Sequence, residues 1–473
     1  MKLKYFILFL ILNSYFFSFS QINIDYEISN PSNGKKFYKR LGKVTKLKNG
    51  NYLIIKRFNM FVDVFNQELQ IISPKNEILK TKEIKNSLVL TAKRINGKTF
   101  IFSIDNSGNF KVSELNITNL NIINNPITLT RLIIRKKKSK KVRHFLFPEV
   151  IFSDDNSKFA LIQRGKSKED KTLFINILVY NKDMELVYEK EVKTQIPKYS
   201  FELKSAILSN SGEIYLAGLI DYNQIQIFSI NKDNTKTYNK TIESKIDFSN
   251  LSYENNKLTF FSITPNEENK LYRIDYNVLD KNLNQNKINP IPFNLEYPKN
   301  SNIKYYPSLE IHYENILQNG NTILIAEYNE SEYNVFSKGS LILLVVNKEK
   351  TACIYSKVIL KNQSTQYTFY QGFVPFEINN KIYLFFNEEG TSYSNYKVVK
   401  VDIESNKIDK KTLFNREKIG VTPFANTDSR DEIYFNSRVI SIYQKKSSFK
   451  VDENSFILFT DDSRKIIKIK IND

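Results

Sequence analysis

An all-β fold is predicted by three features of this 473-residue sequence. A tight turn followed by a short apolar run recurs along the chain, as in LKNGNYLII, INGKTFIFS and INNKIYLFF. Successive turns lie 44 to 64 residues apart, and two further alternating runs fill the intervals between them. No long segment combines apolar residues at helical spacing with helix caps. Four-stranded units at this period are typical of a β-propeller, in which small antiparallel sheets surround an axis.

The turn is the most regular element of the repeat. Seven turns precede an apolar strand, and they contain the pairs Asn49-Gly50, Asn96-Gly97, Asp155-Asn156, Ser211-Gly212, Asn255-Asn256, Asn319-Gly320 and Asn379-Asn380. A two-residue hairpin needs residues that adopt positive φ. Because the chain has only 13 glycines, we expect Asn to take many of these positions, since it tolerates the left-handed region better than most other residues.

The two ends of the chain are predicted to complete the ring. Seven units are evident, the segment 432–471 offers three more strands, and INIDYEIS near the N-terminus offers a fourth. Pairing of the N-terminal and C-terminal strands would leave only short protected edges. We therefore predict one domain over residues 21–473, an all-β propeller of eight four-stranded blades. Seven blades are the alternative, and a solenoid of the same strands is a weaker one.

One stretch resembles a known propeller repeat. FSDDNSKFALI contains Ser153, Asp155, Phe159 and Ala160 in the order of the S-x-D-x-x-x-apolar-A phrase, and it is similar to TolB-type repeats. LSNSGEIYLAG echoes the phrase loosely and lacks the aspartate. The resemblance covers one blade well and implies a propeller fold. It implies no function, because propellers serve as enzymes, binding proteins and scaffolds alike.

The N-terminus has the pattern of a secretory signal peptide over residues 1–20. A basic start precedes a largely apolar run from Phe6 to Phe19, and Ser18 and Ser20 put small residues before a cleavage site after Ser20. An uncleaved membrane anchor is the alternative. We expect an exported protein, periplasmic or extracellular, with no transmembrane segment after cleavage. The abundance of Lys, Asn and Ile is typical of an AT-rich bacterial genome.

The charge of the chain favours anionic partners. Lys and Arg number 70 against 50 Asp and Glu, which gives a net charge of +20. Such an excess favours nucleic acid, anionic polysaccharide or acidic head groups, and export makes nucleic acid the least expected of the three. The competing interpretation, which the composition favours, is that lysine solubilises many strand edges.

Sequence motifs for catalysis are missing. The two histidines, His144 and His312, cannot form a histidine-rich metal site, and the chain has no nucleophile elbow, phosphate-binding glycine loop or calcium loop. His312 lies in the strand-like run LEIHYEN and is expected to be packed or at a rim, while Cys353 is expected to be a buried thiol. We expect no metal and no cofactor. A carboxylate pair for glycoside cleavage stays open, because nothing in the sequence selects one.

The longest loops are predicted to share one face of the ring. In a four-stranded meander, the loop between the second and third strands opens on the same face as the connection between blades. Near blades 2 and 3 these loops hold a basic sector, Lys136, Lys137, Lys138, Lys140, Lys141 and Arg143. Near blades 6 and 7 they hold a tyrosine sector, Tyr305, Tyr306, Tyr333, Tyr367, Tyr370, Tyr393 and Tyr396. Clustered tyrosines supply rigid apolar area together with a hydroxyl group.

These features predict a monomeric binding protein rather than an enzyme. Its ligand-binding face would hold both sectors, and its partner would be a protein or an anionic polysaccharide. Two alternatives stay open: a hydrolase that acts on carbohydrate or peptide, and a passive subunit of a cell-envelope assembly. The loops could also be long and polar without binding anything.

Overall fold

The structure is a computed structural model that describes residues 22 to 472 apart from internal ranges. Those ranges are 30–39, 48, 58–66, 76, 133–141, 146–147, 168–172, 195–200, 221–222, 242–245, 267–270, 296–308, 333–334, 362, 366–372, 389–394, 416–447 and 460–465. The predicted signal peptide lies outside the described residues. The described residues contain strands, turns and bends but no helix, and therefore none that could cross a membrane.

Eight antiparallel sheets, here called blades, follow one another along the chain. The first strand, β1 (Ile24–Ser29), joins the last blade. Blade 1 contains β2 (Arg40–Lys46), β3 (Tyr52–Arg57), β4 (Gln67–Ile72) and β5 (Ile78–Ile84). Blade 2 contains β6 (Ser87–Ile95), β7 (Lys98–Asp105), β8 (Asn109–Leu115) and β9 (Ile122–Arg131). Blade 3 contains β10 (Val142–Phe145) and β11 (Glu149–Phe152), which both pair with β12 (Lys158–Ser167), then β13 (Leu173–Asn181) and β14 (Leu186–Thr194). Blade 4 contains β15 (Phe201–Leu208), β16 (Ile214–Ile220), β17 (Gln224–Ile230) and β18 (Thr235–Thr241).

The second half of the chain repeats the arrangement. Blade 5 contains β19 (Asp247–Phe248) and β20 (Ser252–Glu254), which both pair with β21 (Lys257–Asn266), then β22 (Leu271–Asp280) and β23 (Gln285–Phe293). Blade 6 contains β24 (Glu310–Ile316), β25 (Thr322–Glu332), β26 (Val335–Val346) and β27 (Cys353–Ile359), and the short β28 (Gln363–Thr365) also pairs with β26. Blade 7 contains β29 (Phe373–Ile378), β30 (Lys381–Glu388), β31 (Asn395–Asp402) and β32 (Lys407–Asn415). Blade 8 contains β33 (Ser448–Lys450), β34 (Ser455–Phe459), β35 (Ile466–Ile471) and β1.

The strands of each blade are lettered A to D from the axis outward. Neighbouring A strands contact one another, as β2 contacts β6 and β19 contacts β24, so these strands lie nearest the axis. An apolar cluster fills every junction between neighbouring blades. The junction of blades 7 and 8 shows the packing: the rings of Phe376 and Phe456 stack with their centroids 4.4 Å apart. Burial of side chains at eight such junctions is the main favourable term in the stability of the ring.

The ring closes as the sequence predicts. Strand β1 pairs antiparallel with β35 from Ile24 opposite Ile471 to Ser29 opposite Ile466, and it forms the D strand of blade 8. The remaining junction is filled by Ile54 and Ile72 of blade 1 against Ile457 of blade 8. The eight-bladed propeller is thereby confirmed, and the seven-bladed and solenoid alternatives are wrong. The segment 432–444, which we expected to supply a strand of blade 8, lies outside the described residues.

The repeated turns all join strand A to strand B of a blade. The described residues at positive φ in these turns are Gly50, Asn96, Gly97, Asn156, Gly212, Asn255, Asn256, Gly320, Asn379 and Asn380. Each of the seven predicted turns contributes at least one of them, so the predicted backbone chemistry is confirmed. Because strands alternate in direction, the A–B turns and the C–D turns lie on one face of the ring, which we call the turn face. The B–C connections and the connections between blades lie on the opposite face, the loop face.

Candidate functional site

The two faces of the ring differ in the length of their connections. On the turn face, every connection between described strands spans two to six residues. Between the described strands, all connections of nine residues or more belong to the loop face: 30–39, 58–66, 132–141, 294–309 and 416–447. The stretch 360–372, which contains β28, leaves blade 6 for blade 7 on the same face. The strand bounds support the prediction that the long loops share one face, but the B–C connections that contain Tyr333 and Tyr393, which were predicted to be long, span only two and six residues.

Most of the predicted binding residues lie outside the described residues. These are Lys136, Lys137, Lys138, Lys140 and Lys141 of the basic sector, and Tyr305, Tyr306, Tyr333, Tyr367, Tyr370 and Tyr393 of the tyrosine sector. Arg143 lies in β10, where the structure gives its backbone position between Val142 and His144, at a bulge opposite β12. The two sectors therefore stay predictions.

Tyr396 is the exception, and its assignment to the binding face is wrong. It is the second residue of β31, its side chain is fully buried, and it belongs to the apolar cluster between blades 7 and 8 together with Val398. Residues two apart in a strand point to the same side of the sheet, so Tyr396 shares the environment of Val398. The sequence NYKVV already carried this alternation, which the loop interpretation overlooked.

The described residues bring together a charged group that sequence analysis missed. It lies on and beside the A strands of blades 4, 5 and 6, and we call it the inner charge cluster. Its members are Lys204, Asp247, Glu310, His312, Glu327 and Lys361. Local irregularity of the A strands positions two of them, because Lys204 and His312 are the extra residues of β-bulges in β15 and β24. A bulge re-aims the side chain that it contains.

Asp247 links three blades through this cluster. Its side chain, which is almost fully buried, forms an ion pair with the Lys204 ammonium of blade 4. Its second carboxylate oxygen accepts a hydrogen bond of 2.7 Å from the Ile311 N–H of blade 6. Burial raises the pKa of the Asp247 carboxyl. The ammonium of Lys204 and the backbone N–H groups of Ile311 and Phe248 act in the opposite direction, because they favour the ionised form. Asp247 therefore acts as a structural anchor between A strands.

The blade 6 part of the cluster contains two carboxylates, a lysine and a histidine. Glu327 of β25 forms an ion pair with Lys361, and both side chains are buried, with exposed fractions of 1% and 0%. His312 Nε2 lies 3.5 Å from a carboxylate oxygen of Glu327 and 3.5 Å from one of Glu310. The His312 ring also meets the Phe373 ring of blade 7 edge-on, with 6.4 Å between centroids. This agrees with the prediction that His312 is packed.

A further carboxyl group faces the junction of blades 5 and 6. Burial raises the pKa of Glu314 on β24, while a hydrogen bond with the Ser249 side chain and the charge of Lys350 lower it.

No group of three or more His, Cys, Asp or Glu residues within the described part of the chain is arranged to hold a metal ion. The sequence could not reveal the inner charge cluster, because its members are up to 157 positions apart and meet only through the ring.

Cys353, the single cysteine, is held as a thiol. It lies in β27 and is partly buried, and its Sγ lies 3.2 Å from the backbone oxygen of Tyr355. Burial raises the pKa of this thiol to about 11, although backbone hydrogen bonds at Tyr355 and Val345 oppose the shift. A thiol with that pKa is almost entirely protonated at neutral pH and is a weak nucleophile.

A second buried ion network joins blades 4 and 5, which we call the blade 4–5 clip. Lys240 Nζ of β18 reaches across to blade 5, where it lies 2.9 Å from Asp275, 3.0 Å from Asn277 and 3.3 Å from Ser262. Arg273 also pairs with Asp275, with 2.9 Å between Nε and Oδ1. Burial lowers the pKa of Lys240, and the Asp275 carboxylate opposes that shift. The clip ties the outermost strand of one blade to the face of the next.

The fold and its closure define the class of protein: an eight-bladed, four-stranded β-propeller. No protein-family model matches the chain, and no curated protein shows significant similarity to it. Similar solved structures include the WD40 domain of SCAP from fission yeast, with 9% identity over 95% of this chain and 98% of that chain and a TM-score of 0.40. Sqt1 from Saccharomyces cerevisiae matches with 11% identity over 94% of this chain and 100% of that chain, at a TM-score of 0.43. An ulvan lyase of polysaccharide lyase family PL25 matches with 10% identity over 68% of this chain and 82% of that chain, at a TM-score of 0.39. These values are too low to assign a function.

Proposed function

We propose that the chain is an exported, non-enzymatic propeller that binds a protein or an anionic polysaccharide through its loop face. The observation that supports this proposal is the asymmetry of the two faces. Between the described strands, every connection of nine residues or more joins strand ends on the loop face, and the connections on the turn face span two to six residues. Binding residues are found disproportionately on loops that a rigid scaffold positions.

The turns of the opposite face are held by hydrogen bonds. In the turn after β11, the Ser153 hydroxyl donates to Asp155 over 2.7 Å, and the Lys158 N–H donates to the Ser153 hydroxyl over 3.0 Å. Lys158 Nζ then donates to the Asn210 carbonyl of the neighbouring blade over 2.6 Å. Polar groups of this kind are already used within the ring, so the turn face offers less to a ligand than the loop face does.

The sequence of the long loops suggests how a ligand would be held. The basic sector would contribute charge, and the tyrosines of the other sector would contribute apolar contact and hydroxyl groups. Charge-based contacts between exposed groups weaken as salt screens them. A ligand held by Lys136, Lys137 and Lys138 would therefore show strongly salt-dependent affinity.

The hydrolase alternative finds no support in two carboxylates of the inner charge cluster, those of Asp247 and Glu327. Asp247 and Glu327 are buried and are each paired with a lysine. A catalytic carboxylate must reach its substrate, whereas these two groups connect strands. A passive role in an envelope assembly stays the alternative to ligand binding.

The proposal can be tested by a binding screen on the mature chain that begins at Gln21. Immobilised protein would be exposed to a sulfated, a carboxylated and a neutral polysaccharide and to solubilised envelope proteins. For an anionic polysaccharide we expect affinity to fall about tenfold or more between roughly 50 and 500 mM NaCl. Replacing Lys136, Lys137 and Lys138 together by Ala should weaken binding by a similar factor.

A matched control separates the basic sector from net charge. Replacing the three exposed lysines Lys80, Lys257 and Lys287 by Ala removes the same charge from strands outside the long loops. Affinity should then change by less than about twofold, because distant exposed charges are screened. Equal weakening in both triple variants would exclude a specific basic sector. Absence of any saturable ligand in the screen would contradict the binding function itself.

Export is tested separately. In the source cells, we expect the protein in the periplasmic or extracellular fraction with an N-terminus at Gln21, which N-terminal sequencing would show. A protein in the cytoplasm that retains Met1 would contradict this part of the proposal.

A further inference from the structure

Asparagine followed by glycine occurs in three A–B turns of the described residues. These pairs are Asn49-Gly50 in blade 1, Asn96-Gly97 in blade 2 and Asn319-Gly320 in blade 6, and a fourth pair, Asn33-Gly34, lies outside the described residues. In such a pair the glycine nitrogen can attack the side-chain amide carbon of the asparagine, because glycine has no side chain that hinders the approach. The three turns share this dipeptide, so the fold decides how readily each one reacts.

The reaction is a deamidation that needs only water. A bond forms between the glycine nitrogen and the asparagine Cγ, the Cγ–Nδ2 bond breaks, and ammonia leaves with the proton that the glycine nitrogen gives up. Water then opens the resulting succinimide ring at one of its two carbonyl groups. One opening gives aspartate with a normal backbone. The other gives isoaspartate, in which the backbone runs through the former side chain and contains an additional carbon, so the product is a covalently modified chain.

In the turn of blade 1, hydrogen bonds restrain both reacting groups. The Gly50 N–H donates to the Leu47 carbonyl over 3.2 Å. Asn49 Oδ1 accepts a hydrogen bond of 3.2 Å from the Asn51 N–H. Both bonds must break before the glycine nitrogen loses its proton and the side chain turns to form the ring, and each adds to the barrier.

The turn of blade 6 has the same two restraints and a cover. The Gly320 N–H donates to the Leu317 carbonyl over 2.9 Å. Asn319 Oδ1 accepts a hydrogen bond of 3.0 Å from the Asn321 N–H. A Cβ built on Gly320 would lie 3.0 Å from the Lys348 side chain, so this turn is also packed against a neighbouring turn.

The turn of blade 2 lacks these restraints. Asn96 and Gly97 form a two-residue turn between the directly paired residues Ile95 and Lys98, and both turn residues are exposed. Among the described residues, neither the Asn96 amide nor the Gly97 N–H has a hydrogen-bond partner, and the Arg94 side chain reaches only the Gly97 carbonyl, over 3.4 Å. Apart from the adjacent residues, no heavy atom lies within 4 Å of the place that a Gly97 Cβ would take. The turn therefore has room to adopt the reactive geometry.

We propose that Asn96 is the preferred site of spontaneous deamidation among the three described Asn-Gly turns, and that isoaspartate at this position loosens blade 2. Ile95 is 3% exposed and belongs to the apolar cluster between blades 2 and 3. An additional backbone carbon in a two-residue turn disturbs the pairing of Ile95 with Lys98 and thereby the seat of Ile95 in that cluster. The modified turn lies on the turn face, so the proposal holds or fails independently of ligand binding on the loop face.

Peptide mapping of aged protein tests the site. The mature chain that begins at Gln21 would be kept in mildly alkaline buffer, both folded and unfolded in guanidinium chloride. Mass spectrometry would then quantify aspartate and isoaspartate at each Asn-Gly pair. In the folded protein we expect Asn96 to convert about tenfold faster than Asn49 or Asn319, because each of those must first lose two hydrogen bonds. In the unfolded chain the three rates should agree within about threefold, because the native turns no longer distinguish them.

Hydrogen exchange supplies the second readout. Asn96→Gly is the matched control, because glycine tolerates positive φ and has no amide to lose. After ageing, exchange of Ser87–Ile95 should be faster in the wild type than in fresh protein and unchanged in Asn96→Gly, and exchange of Thr322–Glu332 in blade 6 should be unchanged in both. Fresh Asn96→Asp, which has the charge of the product but a normal backbone, should exchange like the fresh wild type.

Two results would overturn the proposal. Conversion of Asn49 or Asn319 in the folded protein at a rate equal to or above that of Asn96 would contradict the assigned site, as would a folded protein in which Asn96 does not convert while the unfolded chain does. Complete conversion to isoaspartate at Asn96 with unchanged exchange of Ser87–Ile95 would contradict the loosening of blade 2.

Discussion

Asparagine at positive φ is the residue-scale device that makes the repeated turns possible. In the described part of the chain, nine asparagines and five glycines have positive φ. A residue with a Cβ pays a steric cost in this region, and Asn reduces that cost by local hydrogen bonding of its short side chain. This is why the turns could be recognised from the sequence although their residues differ from one blade to the next.

Substitutions at Asn256 should reveal this backbone requirement. Asn255 and Asn256 have φ of 51° and 61° in the turn between β20 and β21. We expect Asn256→Ala to lower the free energy of unfolding by about 1 kcal/mol, because alanine is strained at this φ. Asn256→Gly should stay within about 0.5 kcal/mol of the wild type.

Urea unfolding of purified protein would measure both variants, with Lys257→Ala at the adjacent exposed residue as control. Equal destabilisation by Ala and Gly would point to the lost amide group rather than to φ.

Four residues at positive φ escaped the sequence analysis because they are neither Asn nor Gly. They lie in C–D turns and are Leu120, Met184, Leu283 and Lys350. Leu120 and Leu283 are buried in the apolar clusters of two blade junctions. Burial of a leucine side chain contributes about 2 kcal/mol, which is comparable to the strain. Burial can offset the backbone strain at these leucines only when the neighbouring blade is packed against them, so the sequence alone does not reveal it.

At the scale of the element, the outer strands explain part of the positive charge. Lys82 of β5 donates to Asn121 in the C–D turn of blade 2 over 2.7 Å, and Lys236 of β18 donates to Asn282 in the C–D turn of blade 5 over 2.6 Å. Lysine on an outermost strand also discourages pairing with other chains. These lysines serve the ring, so the net charge of +20 is not a measure of ligand affinity.

The blade 4–5 clip should show strong coupling between Lys240 and Asp275. Their side chains are 12% and 2% exposed, so neither charge is well solvated. Asp275→Asn should lower the free energy of unfolding by about 3 kcal/mol, because it leaves the cations of Lys240 and Arg273 without their carboxylate. The double variant with Lys240→Met should recover part of that loss.

A double-mutant cycle measured by urea unfolding would give the coupling energy. The exposed pair Lys193 and Glu191, with 3.6 Å between Nζ and Oε1, is the matched control and should couple by less than about 0.5 kcal/mol. If the loss from Asp275→Asn persists in full when Lys240 is absent, the clip does not contribute through this ion pair.

Closure of the ring belongs to the scale of the whole molecule. The two ends of the chain meet in one sheet, where the Asn472 N–H donates to the Asn23 carbonyl over 2.9 Å. Ile22 and Ile24 are buried in the cluster between blades 7 and 8, and Lys411 Nζ donates to the Ile22 carbonyl over 3.0 Å. A short segment at the very start of the folded chain therefore completes both a sheet and a core.

Deletion of residues 21–29 should destabilise the ring by several kcal/mol, because it exposes the edge of β35 and the apolar groups beneath β1. A synthetic peptide of residues 21–30 should restore part of the urea midpoint in a saturable manner. The same peptide with Ile24→Asp is the control and should not restore it. A truncated chain with an unchanged urea midpoint would show that closure by β1 contributes little.

Architecture was far more accessible from the sequence than the site was. Turn spacing and strand alternation are local patterns, so they predicted eight blades, the A–B turns and the pairing of the chain ends. The same alternation should have removed Tyr396 from the binding face, since it lies two positions before Val398. The inner charge cluster depends on side chains of three blades, and no local sequence pattern indicates it. The two sectors of the loop face, the signal peptide and the TolB-type resemblance stay predictions.

The sequence by itself determined the repeat, the strand order within a blade and the face to which the long loops belong, because hairpin chemistry and two-residue alternation act between near neighbours. Only the tertiary structure decided which charged residues meet. Glu310, His312, Glu327 and Lys361 come together because a bulge turns one side chain and a neighbouring strand supplies another. A buried charge without a counter-charge is costly, so Glu327 pairs with Lys361, and that cost exists only once the ring has excluded water.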